Sequence, residues 1–163
     1  MIPITLACPT DAAAIAALSR VEIEDGLPWR WTPARVARAI DNPMINVAVQ
    51  REDGMLRAFG IMKYTDDAAH LLLLAVQPAY RRAGVGSALL SWLELVARNA
   101  GIGIVRLEAR DDNPAARAFY RRRGYRELSV VAGMYCGIKA GVCLERNLYS
   151  AAAPDVAVGP PAP

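Results

Sequence analysis

Lysine is nearly missing from this 163-residue chain: Lys63 and Lys139 are the only two, so almost all of the positive charge is arginine. A guanidinium grips phosphate through paired donors where an ammonium acts as a point charge, and the bias therefore favours a phosphorylated ligand. The net charge of +3 is small, and consecutive basic residues occur in only two local clusters, Arg81-Arg82 and Arg121-Arg122-Arg123, with no interleaved aromatics. That pattern argues against a nucleic-acid surface. Cysteine is scarce too. Cys8, Cys136 and Cys143 are odd in number and lack metal-type spacing, which removes a disulfide framework and a zinc site and leaves reduced thiols in a cytoplasmic protein as the expectation; no metal is expected. No apolar run approaches the ~20 residues of a membrane span and no basic leader is evident, so neither a membrane nor export is expected. The single histidine, His70, stands near a strand start and reads as a surface residue rather than a base.

What is present is an ordinary globular balance, 54% hydrophobic and 21% charged, at a length that suits one core. Residues 2 to 7 read as a strand, and Thr10 as the cap of a helix carrying Ile15, Leu18 and Val21 to about Gly26. Thr32-Pro33 opens a second helix that Asn42-Pro43 stops. Ile45, Val47 and Val49 alternate into a hairpin turned at Glu52-Asp53-Gly54, whose second strand runs from Met55 to Tyr64. The run from Leu71 to Val76 is apolar throughout, as in a central strand covered on both faces. Val85, Leu89, Trp92, Leu93 and Val96 mark a long helix to about Ala100. A strand over 104–110, a helix opened by Asn113-Pro114 and closed at Gly124, and strands near 126–134 and 141–148 complete a βααβββαβαββ order, an α/β layer fold. A domain over 1–149 and a disordered Ala/Pro tail over 150–163 are expected.

The loop between the apolar strand and the long helix concentrates anion-binding features: Arg81, Arg82 and Ala83, then Gly84, Val85, Gly86 and Ser87 at a helix start. Amides there lack intrahelical partners, the helix dipole is positive, and glycine admits an anion close to the backbone. A P-loop would need Lys-Ser or Lys-Thr after Gly86, and a dinucleotide fingerprint would need a third glycine or alanine where Leu89 stands; neither fits. What remains is Arg-x-x-Gly-x-Gly after a strand ending in Val76-Gln77-Pro78.

With these residues the sequence resembles the GCN5-related N-acetyltransferase superfamily, whose acetyl-CoA motif has this form. A second matching block follows in order: Leu107-Glu108-Ala109-Arg110, Asn113, Ala116, Phe119-Tyr120 and Gly124-Tyr125. The resemblance covers most of residues 1 to 148 and implies a mixed, mostly antiparallel sheet of about seven strands flanked by four helices. It further implies that the loop amides bind the pyrophosphate, that backbone near Leu74 and Val76 is free to pair with the pantetheine arm, and that Asn113 lies near that arm. Asn113 before proline is also a strong helix cap.

Acetyl transfer to an amine needs a base for the ammonium and an acid for the departing thiolate. The resemblance makes Tyr120 the acid; its other reading is a core aromatic beside Phe119. Bacterial ribosomal-protein-alanine N-acetyltransferases resemble this chain closely and carry a catalytic glutamate at the position of Glu108. Strand alternation also puts Glu108 on one face with Arg106 and Arg110, with which it could simply pair. Glu22, Glu24 and Asp25, beside Trp29-Arg30-Trp31, fall where relatives contact the acceptor: Glu22 would attract a cationic amine and Trp29 and Trp31 would wall its pocket, although a solvated helix end has the same composition. The acceptor is either a protein N-terminus or a small amine, and the segment around Lys139-Ala140 departs from an acidic pair that the alanine enzymes often carry. A monomer or homodimer is expected. Rival readings are a silent acyl-CoA sensor and an ATP-binding regulator, the latter without the lysine and aspartate it would need.

Overall fold

A computed structural model describes residues 2–150. The expected tail lies, from residue 151 onward, outside the described residues. Over the described part the element order is the one read from the sequence: β1 (Ile4–Leu6), α1 (Ala12–Glu22), α2 (Pro33–Asp41), β2 (Ile45–Glu52), β3 (Met55–Tyr64), β4 (Ala69–Val76), α3 (Val85–Asn99), β5 (Ile104–Arg110), α4 (Pro114–Arg122), β6 (Arg126–Tyr135) and β7 (Lys139–Asn147). The strands form one seven-stranded sheet in the order β1-β2-β3-β4-β5-β7-β6, antiparallel except where β4 meets β5.

Local chemistry accounts for most boundaries. Thr32 accepts a hydrogen bond from the Arg35 amide (3.3 Å) ahead of Pro33, and Asn113 accepts one from the Ala116 amide (3.1 Å) ahead of Pro114. The β2–β3 turn holds Asp53 and Gly54 at φ 51° and 77°, both left-handed as a two-residue hairpin requires. At α1 the expected cap is wrong. Pro9 starts a 3-10 turn over Pro9–Asp11, which draws Thr10 inside it, and Val21 is 66% exposed rather than part of the apolar face.

The single core expected from length is divided by the sheet. On one face α1 and α2 bury Ile15 and Val36 against Phe59, Ile61, Leu73 and Ala75; on the other α3 buries Leu89, Leu90 and Leu93 against Met62, Leu71, Val105 and Leu107. β4 changes the parity of its side chains midway because it carries one extra residue. Ile61 pairs with Leu73 and Met62 with Leu71, leaving Leu72 as a bulge. Ala69 and Leu71 therefore pack under α3, whereas Leu73 and Ala75 pack under α1 and α2.

The same region opens the sheet. β4 and β5 pair only from Ala69–Val105 to Leu71–Leu107, and beyond that register the two strands part. Leu74 and Val76 keep their β3 partners, Gly60 and Ala58, while their β5 side carries no ladder.

Candidate functional site

The gap between β4 and β5 leads into a cleft of about 830 Å³. One wall is β4 at Leu74 and Val76. The floor is the loop Arg81–Gly84 with the first turn of α3, and the other wall is α4 with Asn113, Phe119 and Tyr120. Nine of the ten residues expected to hold a cofactor line it: Leu74, Val76, Arg81, Arg82, Gly84, Val85, Gly86, Ser87 and Asn113. Ala83 does not; it is exposed at the outside of the turn.

The loop has the donors a diphosphate needs. The α3 ladder begins with the Ala88 N–H to the Gly84 carbonyl (2.9 Å), so the amides of Val85, Gly86 and Ser87 precede it and have no helical acceptor. Gly84 takes φ 77°, a conformation that a side chain would strain. Arg82 adopts φ 62° without being glycine, a strained geometry of the kind found at ligand loops.

The arginines divide their work differently from expectation. Arg81 lines the cleft, but its guanidinium is committed to the protein: Nη2 pairs with Glu22 and Nε donates to the Val76 carbonyl (3.2 Å). It fastens the loop to α1 and to β4. Among the described residues Arg82 makes no ion pair, and the same holds for Arg122 of α4, which lines the cleft as well. Arg122 was missed in the sequence because it stood in a basic cluster that was given no role; its spacing from Phe119, one helical turn earlier, was the available signal.

A smaller cavity of about 110 Å³ adjoins the cleft on the α1 side of the gap, lined by Leu71–Leu74, Glu108, Ala109, Arg110 and Tyr135. Glu22, Asn113 and Tyr120 border both. Tyr120 is only 9% exposed and stands edge-on to Phe119 and Tyr125 at 5.1 and 5.7 Å. Burial, and then the neighbouring Tyr135, raise its phenol well above the ordinary range, so it stays protonated. Core residue and cleft residue prove to be one position. Tyr135 is pushed up to about 12 by burial and then by the Glu108 carboxylate.

Glu108 does not pair with its neighbours on β5. Arg106 is taken by Glu145 of β7 (2.9 Å), and Arg110 by Asp112 (3.0 Å) and the Asp25 carbonyl (2.5 Å). The carboxylate instead meets His70, with Nε2 and Oε2 2.5 Å apart. The acidic cluster on α1 also separates into parts. Glu22 borders the site, while buried Glu24 accepts from Ser19 Oγ (2.9 Å) and the amides of Arg30 (2.8 Å) and Trp31 (3.1 Å) to shape the α1–α2 loop.

The two tryptophans wall neither cavity. Trp31 is buried in the α1–α2 core under Arg35 (4.0 Å), and Trp29 packs against that core under Arg20 (4.8 Å). Their large apolar rings are more favourably placed beneath the helices than beside water.

Residues 15–125 match the Acetyltransferase (GNAT) family. A [ribosomal protein bS18]-alanine N-acetyltransferase of Escherichia coli strain K12 is 36% identical over 84 residues, covering 52% of this chain and 57% of that protein. The match thus spans little more than half of that relative's length. Among solved structures, the ribosomal-protein-S18-alanine N-acetyltransferase from Escherichia coli superimposes with a TM-score of 0.79 at 25% identity, over 93% of this chain and 96% of that one. Ard1 from Thermoplasma volcanium gives the same TM-score and identity over 90% and 97%.

Proposed function

Because this chain belongs to the Acetyltransferase (GNAT) family, we propose that it transfers an acetyl group from acetyl-CoA to a primary amine by direct attack in a ternary complex, with the N-terminal alanine of a protein as the first candidate acceptor. The observation that carries the reading is the coincidence of three features at one gap: unladdered β4 backbone, amides at the start of α3, and a protonated buried phenol where the two cavities meet. The acceptor follows from the relative named for ribosomal-protein alanine.

Acetyl-CoA would supply an acyl carbon activated as a thioester. The amides of Val85, Gly86 and Ser87, with Arg82 and Arg122, would hold its phosphates, and Leu74, Val76 and Asn113 would flank its arm. Tyr120 holds a proton on Oη for the departing sulfur. Glu108 takes the proton of the acceptor ammonium, and Glu22, its charge matched by Arg81, ties α1 to the border of both cavities.

The test is thiol release from acetyl-CoA with a panel of peptides beginning with alanine, other peptides, polyamines, aminoglycosides and free amino acids, alongside calorimetry with coenzyme A. The alanine peptide is expected to turn over fastest. Coenzyme A binding without thiol release on any amine would leave a cofactor sensor, and no heat at millimolar coenzyme A would remove the cofactor itself.

A further inference from the structure

His70, the chain's only histidine, is placed by the sheet rather than by its own sequence neighbourhood. In the short parallel ladder between β4 and β5 it lies opposite Arg106, so Glu108 is two residues further along β5. Two residues is one strand repeat, which keeps Glu108 on the face of Arg106. The carboxylate leans back across the strands to the imidazole, at 2.5 Å from Nε2. The contact stands at the point where pairing ends at Leu71–Leu107 and the strands begin to part.

Three further observations give the contact a direction. First, Glu108 lines the small cavity and His70 does not, so the imidazole stands behind the carboxylate as seen from the acceptor side. Second, the competing cations are engaged elsewhere: Arg106 with Glu145, Arg110 with Asp112 and the α1–α2 loop, and Lys139 with Asp112 (3.5 Å). Lys63 faces His70 from the β3 register but is not within ion-pair distance of Glu108. Third, the pair is half-exposed, 40% for His70 and 35% for Glu108. An exposed carboxylate of this kind would otherwise sample several rotamers.

We propose that His70 is the positioning residue for the base: the imidazole donates its Nε2–H to Glu108 Oε2, fixes the plane of the carboxylate, and leaves Oε1 to face the acceptor amine. His70 touches no substrate. It rests on the reading of Glu108 as base, and it assigns a role to a side chain that residue type and strand position alone mark as surface. Charge-assisted bonds of this geometry are the ones strong enough to hold an orientation.

A single histidine makes the tautomer directly observable. In ¹⁵N-labelled, tag-free protein at pH 9, wild type is expected to show Nε2 as the protonated nitrogen, and Glu108→Gln to lose that preference. A wild-type imidazole protonated on Nδ1 overturns the proposal. Turnover on the acceptor selected by the amine panel gives the second arm. Glu108→Gln is expected to lower kcat by about 10²-fold and His70→Ala by about tenfold, with coenzyme A affinity by calorimetry unchanged in both. His70→Gln, which can donate to the same oxygen, is expected to recover most of the loss. In the Glu108→Gln background His70→Ala is expected to have no further effect, because nothing remains to be positioned. If Glu108→Gln is slow but His70→Ala is as fast as wild type, or if the two losses multiply in the double variant, the role of His70 is overturned. If Glu108→Gln is itself as fast as wild type, the base assignment fails and the positioning role falls with it.

Discussion

The two halves of the proposed site, one for the cofactor and one for the acceptor, are built by different means. The cofactor half is backbone: a strand edge, a row of amides and two glycines, all within residues 74–87 apart from the contribution of α4. The acceptor half is side chains gathered from separated segments: Glu22 from α1, His70 from β4, Glu108 from β5 and Tyr135 from β6. A backbone site tolerates change in most side chains that surround it, whereas a side-chain site is redefined by each of them. A fold of this kind can therefore keep one cofactor while its acceptors diverge.

Substitutions can test how separate the halves are. Tyr120→Phe, at their junction, is expected to lower kcat by about 10²-fold while coenzyme A affinity stays within about twofold, checked by steady-state kinetics and calorimetry. Equal losses in both would mean that the ring holds the cofactor rather than the proton. Arg82→Gln combined with Arg122→Gln is expected to weaken coenzyme A binding by about tenfold, leave kcat at saturation unchanged, and flatten the dependence of affinity on salt.

The buried phenols at and behind this junction should also report themselves through stability. Burial raises the phenols of Tyr120 and Tyr125, the latter also through Glu94, so the native chain retains protons above pH ~10 that the unfolded chain releases. Their contribution is whole below that pH and is lost as pH rises past it. The melting temperature is expected to fall above pH 10, and Tyr125→Phe to make that fall shallower. The smallest effect belongs to Trp29→Phe: turnover and KM within about twofold of wild type, with a slight loss of melting temperature, because the ring packs with the α1–α2 core rather than the acceptor cavity. A large change in KM would return the tryptophan to the acceptor wall.

What could be read from the sequence follows the same division. Elements marked by caps, turns and periodicity emerged with nearly correct limits: Thr32-Pro33, Asp53-Gly54, Asn113-Pro114 and the 104–110 strand. The loop before α3 could be picked out as a candidate anion site because its donors are contiguous. Glu108 stood between two readings because alternation supplies a face and not a partner. Only the sheet register shows that Arg106 and Arg110 are drawn away to Glu145, Asp112 and the Asp25 carbonyl. His70 read as surface for the same reason, since its partner is 38 residues distant in the chain. The tryptophans were drawn to the acceptor by adjacency to acid, and hydrophobic burial took them into the core instead.

The extra residue in β4 sets a limit on how this strand can vary. Its effect arises from number and not from chemistry, so exchanging Leu72 for another apolar side chain is a mild change. Deleting it would restore regular alternation, leave Leu74 and Val76 on the layer they already face, and remove the irregularity at the point where the neighbouring strand parts from β4. A change of length at this one position is thus expected to act on the gap between β4 and β5 rather than on the layers that cover the sheet.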